Sequence, residues 1–144
     1  MAEVTDTVLK TYFETGDIPT QAQFASLIDS KVSRVATLTA LKALTAPDFA
    51  RMVYLSGRAT AGDGGEGVFV WSSSDLSTEV AADTLSGIYV KADDTAATSG
   101  AWVRQVTGSC DIRWWGAGTA ASAATNAAAI SAAVASGYSV YIPP

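Results

Sequence analysis

Residues 110–144 read CDIRWWGAGTAASAATNAAAISAAVASGYSVYIPP. Alternation and β-rich composition predict a strand at Asp111–Trp115 and a second at Tyr138–Ile142. Between them lie a glycine-marked turn and an alanine-rich helix over roughly Thr125–Ser136. Two short strands and one small-residue helix cannot bury a core alone. The stretch is therefore expected to be the first turn of a larger structure, cut off at Pro143-Pro144.

Working outward, the remaining 109 residues bound what else is present. A chain of 144 residues accommodates one domain or two small ones. Almost half of its residues are hydrophobic, but much of that share is alanine, so few large side chains are available for a core. The net charge of −5 and the lack of a Lys/Arg stripe argue against a phosphate-backbone partner. Cys110 is the single cysteine, which excludes an internal disulfide and reads as a small buried hydrophobe. The chain opens without a basic-then-apolar leader, and its alanine-rich tail is interrupted by Ser, Thr, Asn and Gly, so neither a secretion signal nor a membrane span is expected.

Toward the N-terminus, Val8, Leu9, Tyr12 and Phe13 recur at helical spacing within Asp6–Glu14, and Gly16 follows as a stop. Thr20 and Gln23 form the sequence signature of a capping box, worth about 1 kcal/mol relative to Ala at the cap. The helix that follows gathers Phe24, Leu27, Ile28, Val32 and Val35 on one side. A helix this short is marginal alone, so its apolar side needs the β module, another subunit or a larger particle. Phe24, Ile28, Val35 and Leu38 also fit heptad a/d positions, with Lys31 intruding, but the run is too short for a coiled coil. Core packing and self-association both remain open.

Thr37–Leu44 reads as a short helix ending before Pro47, followed by a strand at Arg51–Leu55. Gly57–Gly67 (GRATAGDGGEG) packs four glycines into six residues. An anion-cradling nest and a calcium loop through Asp63 and Glu66 are both conceivable, but no P-loop helix follows and two carboxylates are few for calcium. A tight structural turn between strands fits better. Gly67–Trp71, Gly87–Lys91 and Ala101–Val106 carry β signals, giving a mostly antiparallel module over roughly residues 46–108.

No catalytic constellation emerges. The absence of histidine removes Ser-His and Cys-His systems and most zinc sites. Asp93-Asp94 reads as a solvated loop, since glycosidase carboxylates must face each other across about 5–9.5 Å. No metal or cofactor is expected. Trp71 and Trp102 lie in expected strands, where ring packing is the ordinary role. Trp114 and Trp115 would point to opposite faces of a strand, so both are buried only if both faces are covered. Trp102, Trp114 and Trp115 are also the residues that a sugar-stacking surface would use.

Three regions then carry a resemblance. IRWWGA, TNAAAISAA and SVYIPP resemble the opening of the pectate-lyase-like parallel β-helix in bacteriophage tailspikes. TYFETGDIPTQAQFASLIDS resembles the start of phage tail-fibre and tailspike chains, and AGDGGEGVFVW with SGAWVRQ resembles the small β domain before the β-helix. They occur in the family's order. Two departures stand out: Gly118–Thr125 lacks the carboxylates the family commonly carries there, and Trp115 replaces the usual Phe.

The resemblance implies an α+β chain in three parts: helical virion-attachment region 1–45, small β domain 46–109, and the start of a right-handed parallel β-helix at 110–144. It implies a structural anchor of a homotrimeric spike, bound to the phage tail or baseplate or to another tailspike and made in the host cytoplasm. Attachment or trimer contacts are expected at Tyr12, Phe13, Phe24, Leu27 and Ile28. Bacterial surface polysaccharide would be bound, and often cleaved, beyond residue 144, so this stretch itself is expected to be non-enzymatic. The alternative is a carbohydrate-binding or polysaccharide-degrading module, contacting glycan through the three tryptophans.

Overall fold

A computed structural model describes residues 6–12, 14, 16, 18–24, 33–47 and 50–144. The chain divides into two compact units, Met1–Ser33 and Arg34–Pro144.

In the first unit, helix α1 (Asp6–Thr11) stops short of the expected Glu14. The Thr11 hydroxyl donates to the Val8 carbonyl at 2.7 Å, closing the last turn on itself. Residues 21–24 are helical. The capping box forms as its sequence requires: Gln23 N–H donates to Thr20 Oγ1 at 3.3 Å and Thr20 N–H to Gln23 Oε1 at 2.7 Å.

The second unit is built on a five-stranded sheet in the order β1-β2-β3-β5-β4. Its strands are β1 (Ser33–Val35), β2 (Met52–Leu55), β3 (Gly67–Ser72), β4 (Tyr89–Val90) and β5 (Ala101–Arg104). The pairings β2–β3, β3–β5 and β5–β4 are antiparallel, with Val53 opposite Phe69 and Trp71 opposite Trp102. Two-residue alternation sends Val53, Leu55, Phe69, Trp71, Val90 and Trp102 to one face. Helix α2 (Leu38–Lys42) lays Leu41 and Leu38 in the same core. The sheet body therefore begins before residue 46. Thr37 caps α2 by accepting from Ala40 N–H at 3.2 Å. Trp71 and Trp102 meet edge to face at 5.2 Å, the arrangement their ring quadrupoles favour.

Helix α3 (Ser77–Ala82) lies where the residue pattern raised no expectation. It carries no buried residue, so no apolar stripe announces it.

The C-terminal stretch folds as strand, helix and strand. Strand β6 (Cys110–Asp111) and β7 (Val140–Tyr141) pair in parallel, Cys110 opposite Val140. Helix α4 (Ala123–Ala135) connects them, capped by Ser122, which accepts from Thr125 N–H at 3.1 Å. Ala129 and Ala133 are fully buried against Ile88, Cys110, Ile112, Trp115 and Ala117 in a second core. Alanine at those positions brings the helix close to the strand below it.

The expected strand Asp111–Trp115 needs correction. Only its first residue is strand; Ile112–Trp115 is a 3₁₀ turn. Asp111 causes the switch, because its carboxylate accepts from Arg113 N–H at 2.9 Å and competes with ladder pairing. Gly116, at φ +97°, ends the turn in the left-handed region.

Candidate functional site: the joint between sheet and coil

Two arginines fasten the sheet to the strand-helix-strand segment. Arg104 ends β5 on the core side and is 3% exposed. Its Nε donates to the Gly87 carbonyl at 2.6 Å, Nη1 to Glu66 at 2.8 Å and Nη2 to Gly65 at 3.0 Å. The guanidinium carbon also lies 4.5 Å from the Phe69 ring centroid and 4.4 Å from that of Trp114. This buried cation is thus held by backbone carbonyls and aromatic faces. Burial, and after it the charge of Arg58, bring its pKa down to about 10.

Arg58, from the start of the glycine loop, donates to the Trp114 carbonyl at 2.7 Å and the Leu85 carbonyl at 2.8 Å. Desolvation lowers its pKa as well, while Asp83 and Asp63 oppose that shift. One residue pins the 3₁₀ turn to the loop before β4, and the other pins that loop to the sheet.

Asp83 completes the joint. Its carboxylate accepts from the backbone N–H groups of Gly87 (3.1 Å), Ile88 (2.7 Å) and Tyr89 (2.9 Å), and from Trp115 Nε1 at 2.7 Å. The backbone donors it satisfies run into β4, an edge strand whose N–H groups would otherwise stand unpaired. Gly87 is required here, since a Cβ would collide with the Trp115 ring.

The glycine loop is a nest, and the anion in it is its own Asp63. That carboxylate accepts from Arg58, Ala59, Thr60 and Gly65 N–H groups at 2.7–3.0 Å. Burial alone would raise its pKa, but the donors from Thr60, Ala59, Arg58 and Gly65 bring it down to about 2. Gly64 N–H donates to Glu66 Oε2 at 2.9 Å. The loop therefore serves as the structural turn expected, and it presents Arg58 to the joint. Among the described residues no group of three or more His, Cys, Asp or Glu side chains is placed to hold a metal.

Of the residues singled out for glycan contact, Trp114 and Trp115 fall inside this joint and Trp102 in the core of the sheet. Trp102 is fully buried and Trp115 is 2% exposed, so neither offers a ring face to a sugar. Trp114 is half-buried, under Arg104 and 6.1 Å from the Trp115 ring, stacked at 30°. The opposite-faces argument for the tryptophan pair fails because the two sit in a turn rather than a strand. Of the residues expected at the attachment or trimer interface, Tyr12 is half-buried and Phe24 is exposed. Phe13, Leu27 and Ile28 lie outside the described residues. Asp94 accepts from Ala46 N–H at 3.2 Å in an exposed loop, and Cys110 is a buried free thiol. No helix among the described residues is long and apolar enough to cross a membrane. Arg58, Asp83 and Arg104 were not legible as a site, because nothing local in sequence links residues so far apart.

This architecture is shared with a phage protein of known structure. The fold is similar to that of the enzymatically active domain of tailspike protein 4 from bacteriophage CBA120, at a TM-score of 0.57 and 18% identity. The match covers 97% of this chain and 17% of that one. At that identity the likeness is one of fold. Residues 34–107, just over half of the chain, match the family described as "Phage tail protein small four-stranded beta-sheet domain". The chain belongs to that family, and it is a structural protein of the phage tail. Its sheet has one strand more than the family description. No curated protein sequence matches the chain.

Proposed function

We propose that this chain is the N-terminal anchor of a homotrimeric tailspike, attaching a receptor-binding or depolymerising spike to the virion tail. The observation that carries the reading is the order of parts: a phage-tail sheet followed, after residues 105–109, by a parallel strand-helix-strand unit. In this reading β6, α4 and β7 open a right-handed parallel β-helix. Tyr141 on β7 and Ile142 just after it are exposed, and among the described residues β7 pairs with β6 alone, a surface suited to a following coil. Load would pass from an attachment region before β1, through the sheet domain that ends at residue 109 and its arginine joint, to the coil at 110–144. Bacterial polysaccharide would be bound, and cleaved if at all, by later coils.

Tyr12, Phe13, Phe24, Leu27 and Ile28 are proposed as the attachment or trimer contacts; Phe24, half exposed beside a formed capping box, is the most accessible to test. Phe24→Ala in the full-length spike should lower incorporation into particles while leaving the tryptophan fluorescence of the sheet unchanged. Normal incorporation of both Phe24→Ala and Tyr12→Ala spikes would remove the helical region as anchor.

A further inference from the structure

The last turns of α3 and α4 converge on one groove of about 260 Å³. Glu79 and Ala82 line it from α3, Ala135 and Ser136 from the end of α4, and Tyr89 and Tyr138 stand beside them. Helix C-termini carry partial negative charge, although at α4 the Ala132, Ala133 and Val134 carbonyls already accept from Ser136 and Gly137. Neither of these helices has a basic residue in its last turn to offset it. Asp83 also borders the groove, but its carboxylate is already engaged by four donors. The Glu79 carboxylate has no hydrogen bond or ion pair among the described residues, and no lysine or arginine lines the groove. Burial, followed by Tyr138, Glu79 and Asp83, pushes the Tyr89 phenol upward, which keeps it a neutral hydroxyl.

The groove thus combines an unengaged carboxylate beside the engaged one of Asp83, two phenol rings and an alanine floor. Such a site favours one cation carried on an aliphatic stem: the rings and carboxylate take the charge, and the alanines take the methylenes. A calcium ion would want six or more oxygen ligands, and an anionic glycan or phosphate would be repelled. We propose that this groove receives a lysine or arginine side chain from an adjoining protein chain. The proposal stands whether or not residues 1–45 are the anchor.

The test is NMR of the whole chain, following the Tyr89 and Tyr138 ring signals. The probes are short blocked peptides containing lysine, arginine or the neutral isostere norleucine, with n-butylammonium as a free cation. Lysine and arginine peptides should shift both rings saturably, and Glu79→Gln should weaken that binding by about threefold or more at low salt. Equal binding of the norleucine peptide, or binding unchanged in a folded Glu79→Gln chain, would overturn the proposal. So would butylammonium binding without peptide binding, which would define a small-cation site instead. No shift up to about 20 mM peptide would also overturn it.

Discussion

The indole N–H of Trp115 donates to the Asp83 carboxylate at 2.7 Å, joining residues 32 positions apart. Through this bond the second core reaches the carboxylate that satisfies the N–H groups leading into β4. Trp115→Phe keeps most of the ring and removes the donor. It should cost about 1–3 kcal/mol, because the donor is lost beside a half-buried carboxylate. Urea unfolding with an unchanged slope and a lower midpoint is the expected record. Gly87→Ala should destabilise the same joint by collision with that ring.

Arg104 reaches three carbonyls with a planar fork that lysine lacks. Arg104→Lys should therefore leave buried carbonyls at Gly65, Glu66 or Gly87 short of donors, at a cost of about 2–4 kcal/mol. Hydrogen exchange should quicken in the Gly64–Gly67 loop and around Gly87 together. A variant as stable as the parent would show that the aromatic contacts to Phe69 and Trp114 hold the joint without the hydrogen bonds.

Asp63 sets an acid limit on the glycine loop. Its folded pKa, about 2, lies below the ordinary carboxylate value of 3.8. The unfolded chain therefore binds the proton first as pH falls. The stabilisation is fully present above about pH 4 and is lost as pH drops through about 2. The amide signals of Arg58, Ala59, Thr60 and Gly65 should titrate together with a midpoint near the lower value. Titration near pH 4 would mean that the four N–H groups do not hold the carboxylate in solution.

Ser122 caps α4, and Ser122→Ala should cost about 1 kcal/mol. The loss should appear at β6 and β7 as well, since Ala129 and Ala133 bury their methyl groups in the core shared with Cys110 and Val140. Exchange confined to α4 would separate the helix from the strands.

Much of the fold is legible in the sequence because its signals are local. The Thr20–Gln23 box, the short helix within Thr37–Leu44, and the alternation in Gly67–Trp71 and Ala101–Val106 each depend on neighbours a few residues apart. The joint is not legible for the opposite reason. Arg104 reads as the polar member of a strand alternation, yet β3 lies beside it and places Phe69 opposite it on the core side. Only the folded chain brings Gly65, Glu66 and Gly87 around it. The 3₁₀ turn at Ile112–Trp115 was hidden by β-prone tryptophans; the one contrary sign was Asp111, a residue whose side chain bonds to the backbone two positions on. Helix α3 lacked a signal because it buries nothing.

The most direct test of the anchor reading is binding of this chain, labelled and purified, to phage particles assembled without their spike. Saturable binding that blocks later loading of the full-length spike is expected. A folded chain that leaves spike loading unaffected at any concentration would contradict it.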